Sequence, residues 1–242
     1  MHSLLITFVA GLFFLIGVYI TFIFKKNQHI INFSLGMGFI VLILLVVIDI
    51  IPECIKLFSD YWLLYLGGGI LGGLGILMLL DLLVPHHDHH ELLANHQNHL
   101  VHLGVMTTLA LVIHNIIEGI GIYGVASASL KTGIIYALGV GLHNIPFGIQ
   151  ITAFFNHKEA ETKLWISITL LTFSTLIGGL LMFMLRGFIT DFLLGFILSL
   201  TIGMIIYILI WELLIEIKET YNKYTFYGIV SGFILMLITM LI

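Results

Sequence analysis

Charge is what this 242-residue chain has least of: 13 Asp and Glu with 9 Lys and Arg make up only 9% of it, against 60% hydrophobic residues and a mean hydropathy of +1.16. Soluble domains carry about a quarter charged residues, so there are too few ionic groups to cover a water-soluble fold of this size. The cations are scattered and the formal charge is −4, which leaves no basic field or phosphate-binding stripe for nucleic acid. A single cysteine, Cys54, excludes an intramolecular disulfide. Linkers and shifts of composition are missing too, so the chain reads as one domain over 1–242, with a single notable polar stretch at 85–99.

What remains is a series of apolar runs at 3–24, 30–51, 62–84, 100–125, 131–155, 163–185, 188–215 and 223–242. Each is close to the ~20 residues that a helix needs to cross ~30 Å of hydrocarbon. Lipid offers no partner to unpaired backbone groups and no alternating barrel strands are present, so the spans are helices. The fold class is therefore all-α, a polytopic membrane protein of eight transmembrane helices. Lys25, Lys26, Lys158, Lys163, Lys218 and Lys223 fall on one side of this layout, and Lys56, Lys131 and Arg186 on the other. The lysine-rich side is expected to be cytoplasmic, which puts both termini outside a cell membrane (plasma or inner). No cation precedes the first apolar run, so it reads as an uncleaved span rather than a signal peptide.

Twelve histidines outnumber Lys and Arg together. The fourth span holds His114-Asn115-Ile116-Ile117-Glu118-Gly119-Ile120-Gly121-Ile122, and the fifth, 29 residues later, holds His143-Asn144-Ile145-Pro146-Phe147-Gly148-Ile149-Gln150-Ile151, identical at six of nine positions. Consecutive spans run in opposite directions, so the repeat is antiparallel, an arrangement that sets a binding site near the midplane. His114 and Glu118 share one helical face, with Asn115 beside them. Such groups in hydrocarbon cost several kcal/mol unless paired, hydrated or bound to an ion. One reading is a polar cluster joining two helices through a Glu118–His143 pair. The other is a metal site, with His114, Glu118 and His143 as core ligands and Asn115 and Asn144 adding carbonyl oxygens or orienting water. Gln150 offers a further oxygen. Pro146 frees the carbonyl of Leu142 and predicts a kink beside His143.

The 85–99 stretch, expected to be a cytoplasmic loop between the third and fourth spans, begins Pro85, His86, His87, Asp88, His89, His90, Glu91 and continues to His96, His99 and His102. Histidine at this density reads as a labile metal-collecting segment, led by His86, His87, His89 and His90. Asp49 and Glu53 flank Pro52 at the outer end of the second span, while Asp81 and Glu212 sit at the inner ends of the third and seventh. Each can simply reach the interface, as Glu53 is expected to do. As a set, Asp49, Asp81 and Glu212 extend an acidic pathway on both sides of the midplane. Gly67, Gly68, Gly69, Gly72, Gly73 and Gly75 predict close helix contact along the third span.

Taken together these residues resemble the ZIP divalent metal transporters, in particular the bacterial broad-range type. The family's HNxPEG pattern of the fourth span corresponds to HNIIEG at 114–119, and its HNIPEG pattern of the fifth to HNIPFG at 143–148. Asp49 with Pro52, Asp81 with Pro85 and His86, and Gly203, Met204 and Glu212 match its further landmarks in order. The resemblance implies eight helices in a 3+2+3 bundle. It also implies metal movement toward the cytosol through the fourth and fifth, a primary site at His114, Glu118 and His143, and Asn115 and Asn144 near a secondary one. Phe147 and Thr175 stand where the fifth and sixth helices of the family supply glutamates, and Leu42 where many members have methionine, which argues for one metal rather than two. The expected ligand is Zn2+, with Fe2+, Mn2+ and Co2+ behind it, carried as substrate, and no organic cofactor is implied. Partners are divalent metal ions and the lipid bilayer, not nucleic acid, and a homodimer is left open. Two further readings compete: a non-transporting metal sensor or regulator, motivated by Phe147 and Thr175, and an intramembrane metal-dependent hydrolase. The last lacks HExxH and a nucleophile beside a base, so no enzyme is expected.

Overall fold

The computed structural model describes residues 2–24, 28–58, 61–83, 92–155, 160–185, 187–188 and 190–241, with side chains for all of these but 82–83 and 92–98. Among the described residues are eight helices long and apolar enough to cross a membrane: α1 His2–Ile23, α2 Gln28–Phe58, α3 Trp62–Leu83, α4 Leu92–Ala128, α5 Leu130–Phe154, α6 Glu161–Leu185, α7 Asp191–Thr220 and α8 Lys223–Met240. The burial pattern is that of a protein in lipid. Leu63, Leu64, Leu71, Met184 and Phe188 point outward, while His114, Asn115, Glu118, His143, Asn144, Gln150 and Glu212 are buried. The stretch at 85–99 is shorter as a loop than its polarity implied, because α4 already begins at Leu92. His86, His87, His89 and His90 lie outside the described residues.

Short, well-capped junctions hold the helices in hairpins. Only Ser129 separates α4 from α5, and its hydroxyl accepts from the Thr132 amide at 3.4 Å, capping α5. Thr190 caps α7 through the Leu193 amide at 3.2 Å, and Asn222 caps α8 through the Tyr224 amide at 2.8 Å. The α4–α5 hinge falls nearly midway through the sequence repeat, 15 residues after His114 and 14 before His143. Two straight antiparallel arms of that length bring both histidines to one depth, about 21 Å from the hinge at 1.5 Å per residue. Pro146 does not end α5, which continues to Phe154.

Glycine sets the closest helix pairs: α1 with α5, α4 with α6, α2 with α8 and α3 with α7. At Gly17 and Gly148 the backbones of α1 and α5 meet so closely that a Cβ on either would overlap the other helix, and Gly119 with Gly178 does the same for α4 and α6. Gly36 with Gly228 and Gly73 with Gly203 serve the other two pairs. Lipid tails are as apolar as leucine, so in a membrane it is backbone approach rather than hydrophobic burial that fastens helices. Of the six glycines of α3, Gly69, Gly72 and Gly73 face α7, whereas a Cβ added at Gly67, Gly68 or Gly75 would meet no other helix among the described residues.

Helices α2 and α7 each contain one wide π turn, at Leu45–Ile50 and Ile208–Leu213, closed by amide-to-carbonyl bonds from Ile51 to Val46 and from Leu214 to Leu209. A π turn inserts one residue and re-aims the side chains that follow, commonly where function needs it. The first carries Asp49, just before Pro52, whose missing amide and bulky ring disfavour a regular turn there. The second carries Glu212.

Replacing Gly148 by leucine would push Phe14 and α1 away from α5. The expected cost is ~1–3 kcal/mol, as for other overpacked cores, read as a fall of roughly 5 °C in the apparent melting temperature of detergent-solubilised protein. Gly68→Ala, at a position with open space around it, should leave the transition unmoved.

Candidate metal centre

The hairpin geometry delivers three donors to one point. Glu118 Oε1 lies 3.0 Å from His114 Nε2 and 2.7 Å from His143 Nε2, and the three residues are 8%, 2% and 5% exposed in that order. Glu118 is one turn from His114 on α4, so these two approach through the helix itself. His143 arrives from α5, its ring centroid 6.3 Å from that of His114. One donor atom from each lies within 4.8 Å of the others. Tetrahedral coordination with bonds near 2.1 Å separates donors by about 3.4 Å, so opening the trio by roughly half an ångström would admit a divalent ion. The Glu118–His143 contact expected of a purely structural pair is thus present, but as one edge of a three-donor cluster.

The surroundings supply unmet polar atoms. Glu118 Oε2, Asn115 Oδ1 and both side-chain heteroatoms of Asn144 are buried without a hydrogen-bond partner among the described residues. Asn115 spends its amide nitrogen on the Leu171 carbonyl of α6 at 3.4 Å, leaving its oxygen for another partner. Thr172 and Thr175 of α6 are buried with unbonded hydroxyls, and Thr175 backs onto Gly119 next to Glu118. Buried polar atoms are nearly always satisfied by protein, ordered water or an ion, so this concentration points to water or an ion as the missing partner. Phe147 closes one side, fully buried with its ring 6.5 Å from that of His143 and edge-on to it. Leu42 is buried as well. Gln150 lies two turns along α5 from His143.

A second cluster lies at the end of the bundle where α4 begins. Asp81 of α3, His102 of α4 and Glu212 of α7 each bring a donor within 4.8 Å of the others. His102 Nε2 is 2.7 Å from Asp81 Oδ1 and 3.6 Å from Glu212 Oε1. Tyr207 donates its hydroxyl to Asp81 Oδ2 at 2.8 Å. His99, one turn earlier on α4, bridges Glu212 at 3.2 Å and Glu216 at 3.1 Å. The two acids read from the sequence as separate span-end residues are therefore one cluster. His99 and His102, grouped by sequence with the histidine loop, are helical residues that complete it. The i, i+3 spacing of the two histidines on an α4 that starts earlier than expected was the available signal. Tyr207 and Glu216 had none in the sequence beyond their place one or two turns from Glu212.

Asp49 joins neither cluster among the described residues. It is exposed on the π turn of α2, within electrostatic reach of His143, Glu118 and His114. Glu53 pairs with Lys56 at 3.2 Å, both exposed, as befits an interface residue.

Comparison with known proteins bears on this geometry. The model of the family described as ZIP Zinc transporter matches residues 86–240. A zinc transporter ZupT of Streptococcus mutans is 29% identical over 261 residues, spanning 99% of this chain and 97% of that protein. Proteins of the same name from Escherichia fergusonii and Salmonella heidelberg are 28% and 29% identical over 140 residues, 56% of this chain and 54% of each of theirs.

If both clusters hold metal, equilibrium titration of the purified protein with zinc should resolve two classes of site. Removing a ligand should cost at least the ~10–100-fold typical of lost supporting contacts. His143→Ala should weaken one class and leave the other, and His102→Ala the reverse. X-ray absorption at the zinc edge checks the donors, with two imidazole nitrogens per zinc in the first class and fewer in the second.

Proposed function

Since the chain belongs to the ZIP family of zinc transporters, we propose that it carries a divalent metal ion, Zn2+ before Fe2+, Mn2+ or Co2+, across a cell membrane toward the cytosol. The observation that carries this reading is the convergence of His114 and Glu118 from α4 with His143 from α5 on one buried point. The bare ion meets donors there at the depth where leaving water costs most. His114, Glu118 and His143 serve as ligands, and Asn115 and Asn144 as oxygen donors or holders of bound water. Because the family is one of transporters, the chain is not an enzyme.

The proposed route runs from Asp49 to the His114, Glu118 and His143 site, and on to Asp81, His102 and Glu212 with His99 and Glu216. The lysine-bearing side is the cytoplasm by the positive-inside rule, which leaves both termini outside. His102 is 12 residues from His114 on α4, so about 18 Å separate the two clusters. His86, His87, His89 and His90 would then gather metal as it leaves. A 3+2+3 bundle with an antiparallel repeat is supported by the four closest helix pairs, which are unchanged as a set when α1, α2 and α3 are exchanged for α6, α7 and α8 and α4 for α5. The matching π turns of α2 and α7 point the same way.

Two neutral imidazoles and one carboxylate bring one negative charge to a doubly positive ion. With Phe147 and Thr175 supplying no further carboxylate, the central site holds one metal and holds it loosely. Nitrogen-rich donors favour zinc over harder ions, and loose binding suits a conduit in which release matters as much as capture.

In proteoliposomes loaded with a zinc indicator, the wild-type protein should admit zinc. His114→Ala and Glu118→Ala should each lower the rate on the order of 100-fold, beyond the loss typical of a supporting contact. Phe147 and Thr175 leave a second reading, a metal sensor that binds without transport, which becomes the better one if zinc binds the wild type yet enters only after Phe147→Glu.

A further inference from the structure

Seven residues beyond His143, Gln150 lies on the same face of α5 and about 10 Å nearer the end where α4 begins. Its side chain is wholly buried, and neither Oε1 nor Nε2 has a hydrogen-bond partner among the described residues. A carboxamide offers two N–H donors and an oxygen with two lone pairs, and burying it unbonded is costly. Leucine would fill the position without that penalty. Gly38 of α2 lies directly against the amide, where any Cβ would overlap Cδ, Oε1 and Nε2, so α2 carries no side chain at the one place where the amide needs room. Between His143 and Gln150 on this face stands Phe147, apolar and buried. On α4, Thr107 is seven residues before His114, which in an antiparallel hairpin is the same depth as Gln150. It too is wholly buried, with an unbonded hydroxyl.

We propose that the Gln150 carboxamide oxygen is a cation-binding station of this chain, placed between the histidine site and the Asp81, His102 and Glu212 cluster. The assignment rests on the transport reading above. It divides the gap of about 18 Å into steps of about 10 and 8 Å along α4, so an ion that has passed Phe147 meets oxygen before it meets the carboxylates. The ligand is a divalent cation that keeps part of its water shell, with the Thr107 hydroxyl available as a second neutral oxygen at that depth. Neutral oxygens bind such an ion weakly, which lets it enter and leave in sequence.

The test compares zinc uptake by proteoliposomes of wild type, Gln150→Leu and Gln150→Glu, with zinc binding to each purified protein. Gln150→Leu should lower the maximal rate at least about ten-fold while the half-saturating zinc concentration and histidine-site affinity stay within about two-fold of wild type. Gln150→Glu, which keeps an oxygen at that reach, should restore uptake to well above the leucine variant. A packing role for the amide would leave Gln150→Leu as fast as wild type, and that result overturns the proposal while transport stands. If Gln150→Leu loses zinc binding altogether, Gln150→Glu decides: uptake supports an oxygen requirement, and its loss overturns it. A wild type that binds zinc but passes none removes the transport reading, and this station with it.

Discussion

A carboxylate held near the middle of a membrane is the constraint that organises this protein. Glu118 cannot stand alone in hydrocarbon without a penalty of several kcal/mol, and α4 by itself offers it only His114. The second imidazole must come from another helix, so α5 is brought alongside with His143 at matching depth. Everything else in the bundle follows from holding that approach: a one-residue hinge capped by Ser129, and glycines on α5 and α4 that let α1 and α6 press against their outer faces. Stability and chemistry share the same contacts here, because the short approaches of His114 and His143 to Glu118 are the ones an ion would replace.

The polar interior is graded along its length. The central group is nitrogen-rich and carries one carboxylate, whereas the group at the α4-start end gathers Asp81, Glu212 and Glu216 around His99 and His102. A divalent cation would therefore meet more negative charge there than at the centre. The zone between the two holds no charged side chain among the described residues of α4 and α5, with Leu103, Met106, Ala110 and Phe147 buried in it beside the hydroxyls of Thr107 and Thr108, which makes the amide of Gln150, without a partner among the described residues, conspicuous. The wide turns of α2 and α7 show how an acid can be aimed without ending a helix: one extra residue in a turn rotates Asp49 or Glu212 relative to the preceding stripe while the backbone stays bonded.

Much of this was legible from residue order. Eight spans, their approximate limits and the midplane trio come from the length of apolar runs and from a nine-residue repeat, because lipid leaves helix as the only choice and helical periodicity then assigns faces. The second cluster was not legible as a cluster. Asp81, His102 and Glu212 lie on three helices and share no local motif, and the polarity of 85–99 concealed that α4 was already under way at Leu92. Polar composition signals a loop only where the helix has no tertiary partners, and here Glu212 and Glu216 on α7 supply them to His99.

Sequence alone determined that the chain crosses a membrane eight times and that two histidines and a glutamate sit near its centre, since both follow from hydrophobic length and spacing along single helices. Only the tertiary structure decided which helices touch, that Asp81 and Glu212 converge on His102, that Asp49 stays apart, and that Gln150 is sealed in without a partner among the described residues. Those outcomes depend on how closely glycine-lined backbones approach and on where a π turn shifts the helical register. Neither quantity is written in the order of residues on any one helix.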